Sequence, residues 1–212
     1  MRTFFVIAMD CEAECVVRHL SAAAESREWG RRVVRGSLAG VPVAVVVSGV
    51  GKANAAAAAQ FAVQSGAELV VSMGVCGGFE RGMKVGDLFE VDRAVQYDFD
   101  LAAINGTAIG VLNERTSPYI PMATTGRYPA KTLATGDHFN DNTDDLPLLS
   151  SLGVGLRDME GAAVAQVCET AGVECRALKC VTNVLGEGAT GQYRENLAKC
   201  LEILSGAVPK YV

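Results

Sequence analysis

The chain has little of what metal or imidazole chemistry needs. Among 212 residues there are two histidines, one tryptophan and only 6% aromatic residues. His19 and His138 stand far apart, and the seven cysteines (Cys11, Cys15, Cys76, Cys168, Cys175, Cys180, Cys200) contain no CxxC pair. A zinc site therefore has no ligand spacing to rest on. An odd number of cysteines in apolar surroundings, as in AVAQVCETAGVECRALKCV, reads as free buried thiols in a reducing compartment. No apolar run approaches the ~18 residues that cross a bilayer. Residues 1–9 (MRTFFVIAM) lack the length and cleavage pattern of a signal peptide. A cytoplasmic protein with no membrane partner is expected. Basic blocks are missing too: 19 Lys and Arg stand against 24 Asp and Glu, for a net charge of −5. A nucleic-acid partner is not expected, because such binding rests on neutralising phosphates. The one basic concentration, Arg27, Arg31, Arg32 and Arg35, reads as a solvated hairpin before it reads as a phosphate patch.

What is present is apolar material, 50% of residues, with 20% charged. That builds a core and suits one domain over residues 1–212. Residues 3–9 read as a buried strand, and 12–24 as a helix, with Val16, Val17 and Leu20 at helical spacing. Residues 30–38 and 41–47 read as two strands joined by a tight turn at LAG. NAAAAAQFAVQ is helical by propensity. ELVVSMGV (68–75), residues 84–98 and KTLAT (131–135) read as strands, and residues 101–130 are irregular. MEGAAVAQVCETAG (159–172) is a helix closed by Gly172, 174–184 a strand and 190–205 the last helix. Strands alternating with helices, most strands apolar throughout, give an α/β domain with a largely buried sheet.

Several strands end in Gly or Ser just before a helix or loop: SGVGK (48–52), GVCGG (74–78), TGDHF (135–139) and TNVLGEG (182–188). Ligands in open α/β sheets bind outside the carboxyl ends of strands. SGVGK is neither GxGxxG nor a Walker A loop, and alone it is a tight turn. Asp10, Glu12 and Glu14 sit where a helix dipole favours acids, so capping explains them individually. Asp158-Met159-Glu160 is likewise an acidic helix start. It also suits a ribose, with a carboxylate accepting from two vicinal hydroxyls while a thioether packs on the sugar face.

The ordered set AMDCEAE (8–14), SGVGKANAAAA (48–58), MGVCGG (73–78), KVGDL (84–88), ATGDHFN (134–140), DMEGAAVAQVC (158–168) and CVTN (180–183) resembles the nucleoside phosphorylase superfamily. It is most similar to the hydrolytic branch, the 5′-methylthioadenosine/S-adenosylhomocysteine nucleosidases, over Met1 to about Leu204. The resemblance implies a single α/β domain with a central mixed, twisted sheet flanked by helices. It also implies cleavage of the N-glycosidic bond of a purine nucleoside by side chains alone, with no metal, flavin or nicotinamide. Glu12 matches the general base that activates water. Asp158, Met159 and Glu160 match the ribose-binding segment, with Glu160 on the 2′- and 3′-hydroxyls. Phe139 and the backbone of Asn140 match the segment that stacks on and reads the base. Met9 and Val50 match apolar walls by the sugar, Val75 and Gly77 belong to the Gly-rich loop, and Tyr193 matches an aromatic over the 5′ side. A homodimer is implied, with Tyr97–Ile104 (YDFDLAAI) as its candidate contact and a plain edge strand as the alternative.

Three positions depart from the nucleosidase pattern. Asn183 stands where those enzymes have Asp, Lys179 where they have Arg, and Val75 where a Ser helps seat the water. An amide cannot hand over a proton as an acid does, but it donates N–H to N7 or to a 6-oxo group. Asn at this place accompanies 6-oxopurines in the wider superfamily, and TNVLGEG resembles the matching stretch of futalosine hydrolases, which release hypoxanthine. Phosphorylases of the superfamily hold phosphate with arginines where this chain has Asp10–Glu14 and Ser72-Met73. A phosphate dianion beside Glu12 and Glu14 meets repulsion of about 1 kcal/mol in water and several times more in a drier site. Water is the expected nucleophile. Two alternatives remain open: a phosphate-dependent phosphorylase using the amides of SGVGK or GVCGG, and a nucleoside-binding protein with weak or lost catalysis.

Overall fold

Strand β1 (Thr3–Ile7) is buried at every position and lies between two parallel neighbours, as an apolar run must when both sheet faces are covered. The computed structural model to which it belongs describes residues 2–112, 115–139, 144–184 and 188–211. Helix α1 (Asp10–Val17) follows directly. It stops well short of residue 24: the chain turns at His19 and Leu20 and enters strand β2 (Ser21–Glu28), which pairs antiparallel with β3 (Arg31–Leu38). The Ala-rich start of β2 is good helix material, but strand pairing overrides that preference. A register shift between Ser21 and Ala24, with Ala22 at φ 51°, opens the strand outside helical geometry. The tight turn is where expected. Ala39 and Gly40, at φ 50° and 84°, connect β3 to β4 (Val41–Val47).

Helix α2 (Lys52–Gln64), β5 (Leu69–Gly78) and β6 (Leu88–Gln96) come next. The irregular stretch holds a one-turn helix α3 (Ala102–Asn105) and a two-residue strand β7 (Ile120–Pro121). Then follow β8 (Ala130–Thr135), α4 (Leu146–Ser151), β9 (Leu156–Asp158), α5 (Gly161–Ala171), β10 (Glu174–Val184) and α6 (Ala189–Tyr211).

The strands form one mixed sheet in the order β10-β6-β8-β9-β5-β1-β4-β3-β2, with β7 on β6. Strand β10 pairs both with β6 and, in parallel, with β5. Strands β5, β10, β6, β8 and β9 thus close into a ring, and β1, β4, β3 and β2 extend from β5 as an open wing. Side chains alternate across the sheet. Phe4 and Val6 join the cluster with α2 and α5, while Phe5 and Ile7 join the one with α1 and α6. This is the α/β class with a mixed central sheet flanked by helices that the sequence implied.

Two arginines of the basic hairpin are neutralised, by acids of the hairpin itself and of α1. Arg32 meets Asp10, Glu14 and Glu25 at 3.2, 2.8 and 2.9 Å, and Arg35 pairs with Glu28. All seven cysteines are free, and Cys11 alone is exposed. Among the described residues, no helix is long and apolar enough to cross a membrane and no group of three His, Cys, Asp or Glu could hold a metal ion.

Candidate active site

Strand ends β1, β5, β9 and β10 and the starts of α1, α2 and α5 converge on one cavity. It encloses about 520 Å³ of atom-free space, open to solvent at its mouth. Its walls include Met9, Glu12, Val50, Val75, Gly77, Phe139, Asp158, Met159, Glu160, Asn183 and Tyr193, so residues as distant in sequence as 9 and 193 share one space. Asn140 lies outside the described residues. Lys179 is not a wall residue. Its side chain is buried beneath the site, with Nζ 2.9 Å from Asp158 Oδ2 and 3.2 Å from Ser72 Oγ.

Glu12 occupies the third position of α1, where a glutamate reaches back to the helix cap. Its Oε2 accepts from the Met9 amide at 3.2 Å, and its Oε1 from the Val75 amide at 2.8 Å. Capping and chemistry are therefore not alternatives here: the cap holds the carboxylate still at the cavity wall. Burial pushes the Glu12 carboxyl above its ordinary value, against the lowering pull of the Val75 amide and Lys179. Gly74 makes the space, since a β-carbon there would lie 2.6 Å from Glu12 Oε1.

Glu160 is reached from the SGVGK turn. Gly51, at φ 100°, takes a conformation that L side chains rarely adopt and aims its amide at Glu160 Oε1, 2.8 Å away. The Lys52 amide binds Asp137 Oδ1 at 2.7 Å, so the N-terminus of α2 meets carboxylates from two other segments. Burial, and then the nearby Asp158 carboxylate, push Glu160 up to about 7. Asp158 itself is a structural acid. It accepts from Thr135 Oγ1 at 2.6 Å, from the Glu160 amide at 3.2 Å and from the Gly161 amide at 2.9 Å, and it pairs with Lys179. Burial works against the Lys179 ammonium, but Asp158 and then Glu160 hold it charged, above the usual lysine range. Three acids, Asp158, Glu160 and Glu12, thus act on one buried lysine at this wall.

Asn183 lines the cavity from the end of β10. A bulge in β10 shifts register between Val181 and Asn183, so Asn183 falls opposite Gly77 rather than one residue out of step. The amide Nδ2 lies over Gly77, 3.2 Å from where a β-carbon would stand, and Thr182 Oγ1 is 3.1 Å from Oδ1. Phe139 and Tyr193 meet edge to face at the mouth, with centroids 5.7 Å apart, and the Tyr193 hydroxyl reaches Met9 Sδ at 3.6 Å.

Ala8, Cys76, Arg157 and Thr182 also line the cavity. Ala8 and Thr182 adjoin residues the sequence singles out, and Cys76 sits in the glycine-rich segment 74–78, which is no loop but the end of β5, paired with β10. Arg157 adjoins Asp158 but belongs to no motif the sequence offers, and its pairing in β9, opposite Gly77, brings it here.

The family model described as "Phosphorylase superfamily" matches residues 3–210. The 5′-methylthioadenosine/S-adenosylhomocysteine nucleosidase of Shewanella denitrificans is 28% identical over 184 residues, covering 79% of this chain and 80% of that protein. The fold matches a nucleosidase of that name from S. pneumoniae, bound to a transition-state inhibitor, at a TM-score of 0.90 and 23% identity, covering 99% of this chain and 97% of that one. It also matches the futalosine hydrolase of Helicobacter pylori at a TM-score of 0.90 and 22% identity, over 97% and 94% of the two chains. With its sheet order, its convergent strand ends and a family match over nearly every residue, the chain belongs to the phosphorylase superfamily.

Proposed function

We propose that the protein is a purine nucleosidase: it cleaves the N-glycosidic bond with water, and its preferred base is a 6-oxopurine. The observation that carries the reading is Glu12, a buried carboxylate held by two amides at the wall of a cavity that Asn183 also lines. Glu12 takes a proton from a water beneath the anomeric carbon while the C–N bond breaks. The departing purine takes up a proton from solvent and Glu12 returns its own to solvent, so the products are the free sugar and the free base. Glu160 receives the 2′- and 3′-hydroxyls and Met159 packs on the ribose. Phe139 stacks on the base, and Asn183 donates to N7 or to a 6-oxo group as negative charge gathers on the purine. The names of the related nucleosidases and of the futalosine hydrolase support the same reaction class.

Water is favoured over phosphate by two observations. The described wall residues include the acids Glu12, Asp158 and Glu160, and their one arginine, Arg157, is paired with Asp145. The amides of Gly51, Lys52 and Val75, which a phosphate would need, already donate to carboxylates. Base release from inosine, futalosine, adenosine and methylthioadenosine, with and without phosphate, tests the reading. Release without phosphate is expected, falling by about 10²–10⁴ in Glu12→Gln. No release from any of these nucleosides, or strict phosphate dependence with a sugar 1-phosphate product, overturns it.

The chain is further proposed to act as a homodimer through the segment around Phe99–Ile104. Tyr97 is buried against His138 and takes no part in that surface, whereas Ile104 is 82% exposed on α3, none of whose residues is buried.

A further inference from the structure

We infer that Arg157 is the residue that makes the cavity select an oxopurine over an aminopurine, because it lines the cavity from the strand position across Gly77 from Asn183. The inference rests on the nucleosidase reading above and assigns its base selectivity to a residue that no motif marks. Three strands carry the arrangement in one row: Arg157 of β9 pairs with Gly77 of β5, and Gly77 pairs with Asn183 of β10. Directly paired residues share a face of the sheet. Two strand spacings separate the outer backbones by about 10 Å, a gap that a flat heterocycle fills. Gly77 puts no side chain into that gap, the Asn183 amide reaches into it from one side, and both outer residues line the cavity. The Arg157 side chain is 11% exposed and held in place, with Nη1 3.3 Å from Asp145 Oδ2 and the guanidinium carbon 5.3 Å from the Phe79 ring centre. Asp145 in turn lies 2.9 Å from His138 Nε2, next to the stacking residue Phe139.

Asn183 by itself discriminates weakly. Its amide can turn over and offer either a donor or an acceptor to the 6-position. A guanidinium has donors only. A 6-oxo group facing it gains a charge-assisted hydrogen bond, while an exocyclic amine meets donor against donor. The same cation faces the negative charge that builds on the departing base, which Asn183, an amide, cannot neutralise.

The test is kcat/KM for base release from inosine and from adenosine, together with calorimetric binding of hypoxanthine and adenine, for the wild type, Arg157→Met and Arg157→Lys. Arg157→Met should lower kcat/KM for inosine by about 10–100-fold, the worth of one charged hydrogen bond, and leave adenosine unchanged or improved. Arg157→Lys, which keeps the charge but loses the fork, should retain part of the preference and stands in if the Met variant does not fold. Hypoxanthine affinity should fall in step while adenine affinity holds. Equal losses on both nucleosides, or an unchanged ratio, overturn the inference, since a purely structural role in holding Asp145 would affect both substrates alike. If the wild type cleaves none of inosine, adenosine, futalosine and methylthioadenosine yet its preference for hypoxanthine depends on Arg157, the hydrolase reading fails and this inference stands. If it cleaves none of the four and binds neither base, both fail.

Discussion

A β-carbon on Gly74 would come within 2.6 Å of Glu12 Oε1 and 3.2 Å of its carboxyl carbon. The atom in the way is the end of a side chain, so Gly74→Ala should fold while displacing Glu12 from the Val75 amide. The expected result is a loss of kcat of tenfold or more, on the order of that for a misplaced general base, with a melting temperature close to wild type. Unaltered kcat would show that the position of Glu12 does not matter. Glu160 gives a second expectation, on pH. Its folded value near 7 stands against 4.5 ordinarily, so the native state holds this proton more tightly than the unfolded chain does. Stability from this group is complete below about pH 4.5 and is lost as pH rises through about 7. The melting temperature of the wild type should therefore fall relative to Glu160→Gln across that window, and a constant difference would refute the shift. Glu12, Glu160 and Asn183 were legible in the sequence because each sits in a motif at a strand end. Arg157 was not, and the burial of Lys179 was not, because both depend on which strands lie side by side.

At the scale of elements, the start of α5 is where the site is anchored to the sheet. Asp158 gathers the Gly161 and Glu160 amides, the Thr135 hydroxyl and the Lys179 ammonium, and Thr135 Oγ1 in turn accepts from the Ala162 amide at 2.9 Å. Asp158→Asn keeps most of the shape but strands a buried lysine charge. It should cost about 3–5 kcal/mol in denaturant unfolding. Adding Lys179→Met should recover part of that loss, because the two residues form one unit. Additive losses would mean the pair is not coupled. The strands β1, β4, β5 and β10 were readable as apolar runs, since burial on both faces leaves little room for polar residues. Strand β2 was hidden because its residues are small, charged and exposed, and its conformation is imposed by β3. Strand β9 is three residues long, too short for any periodicity, and exists because β5 and β8 flank it.

For the whole molecule, the exposed Ile104 is the point at which the proposed dimer is vulnerable. Ile104→Asp should shift the sedimenting species from dimer to monomer without unfolding the chain, and an unchanged mass would place any interface elsewhere. The sheet itself is uneven. In the ring, Leu178, Lys179 and Cys180 of β10 are paired on both sides, with β5 and with β6, whereas β2 has one neighbour and a free edge. In deuterated solvent the amides of that central β10 segment would then exchange only through global opening, and those of the β2 hairpin through small local excursions. The half of the molecule that carries Asn183 is the last to let go, so a chain that has begun to fray at its wing can still present an intact base-facing wall.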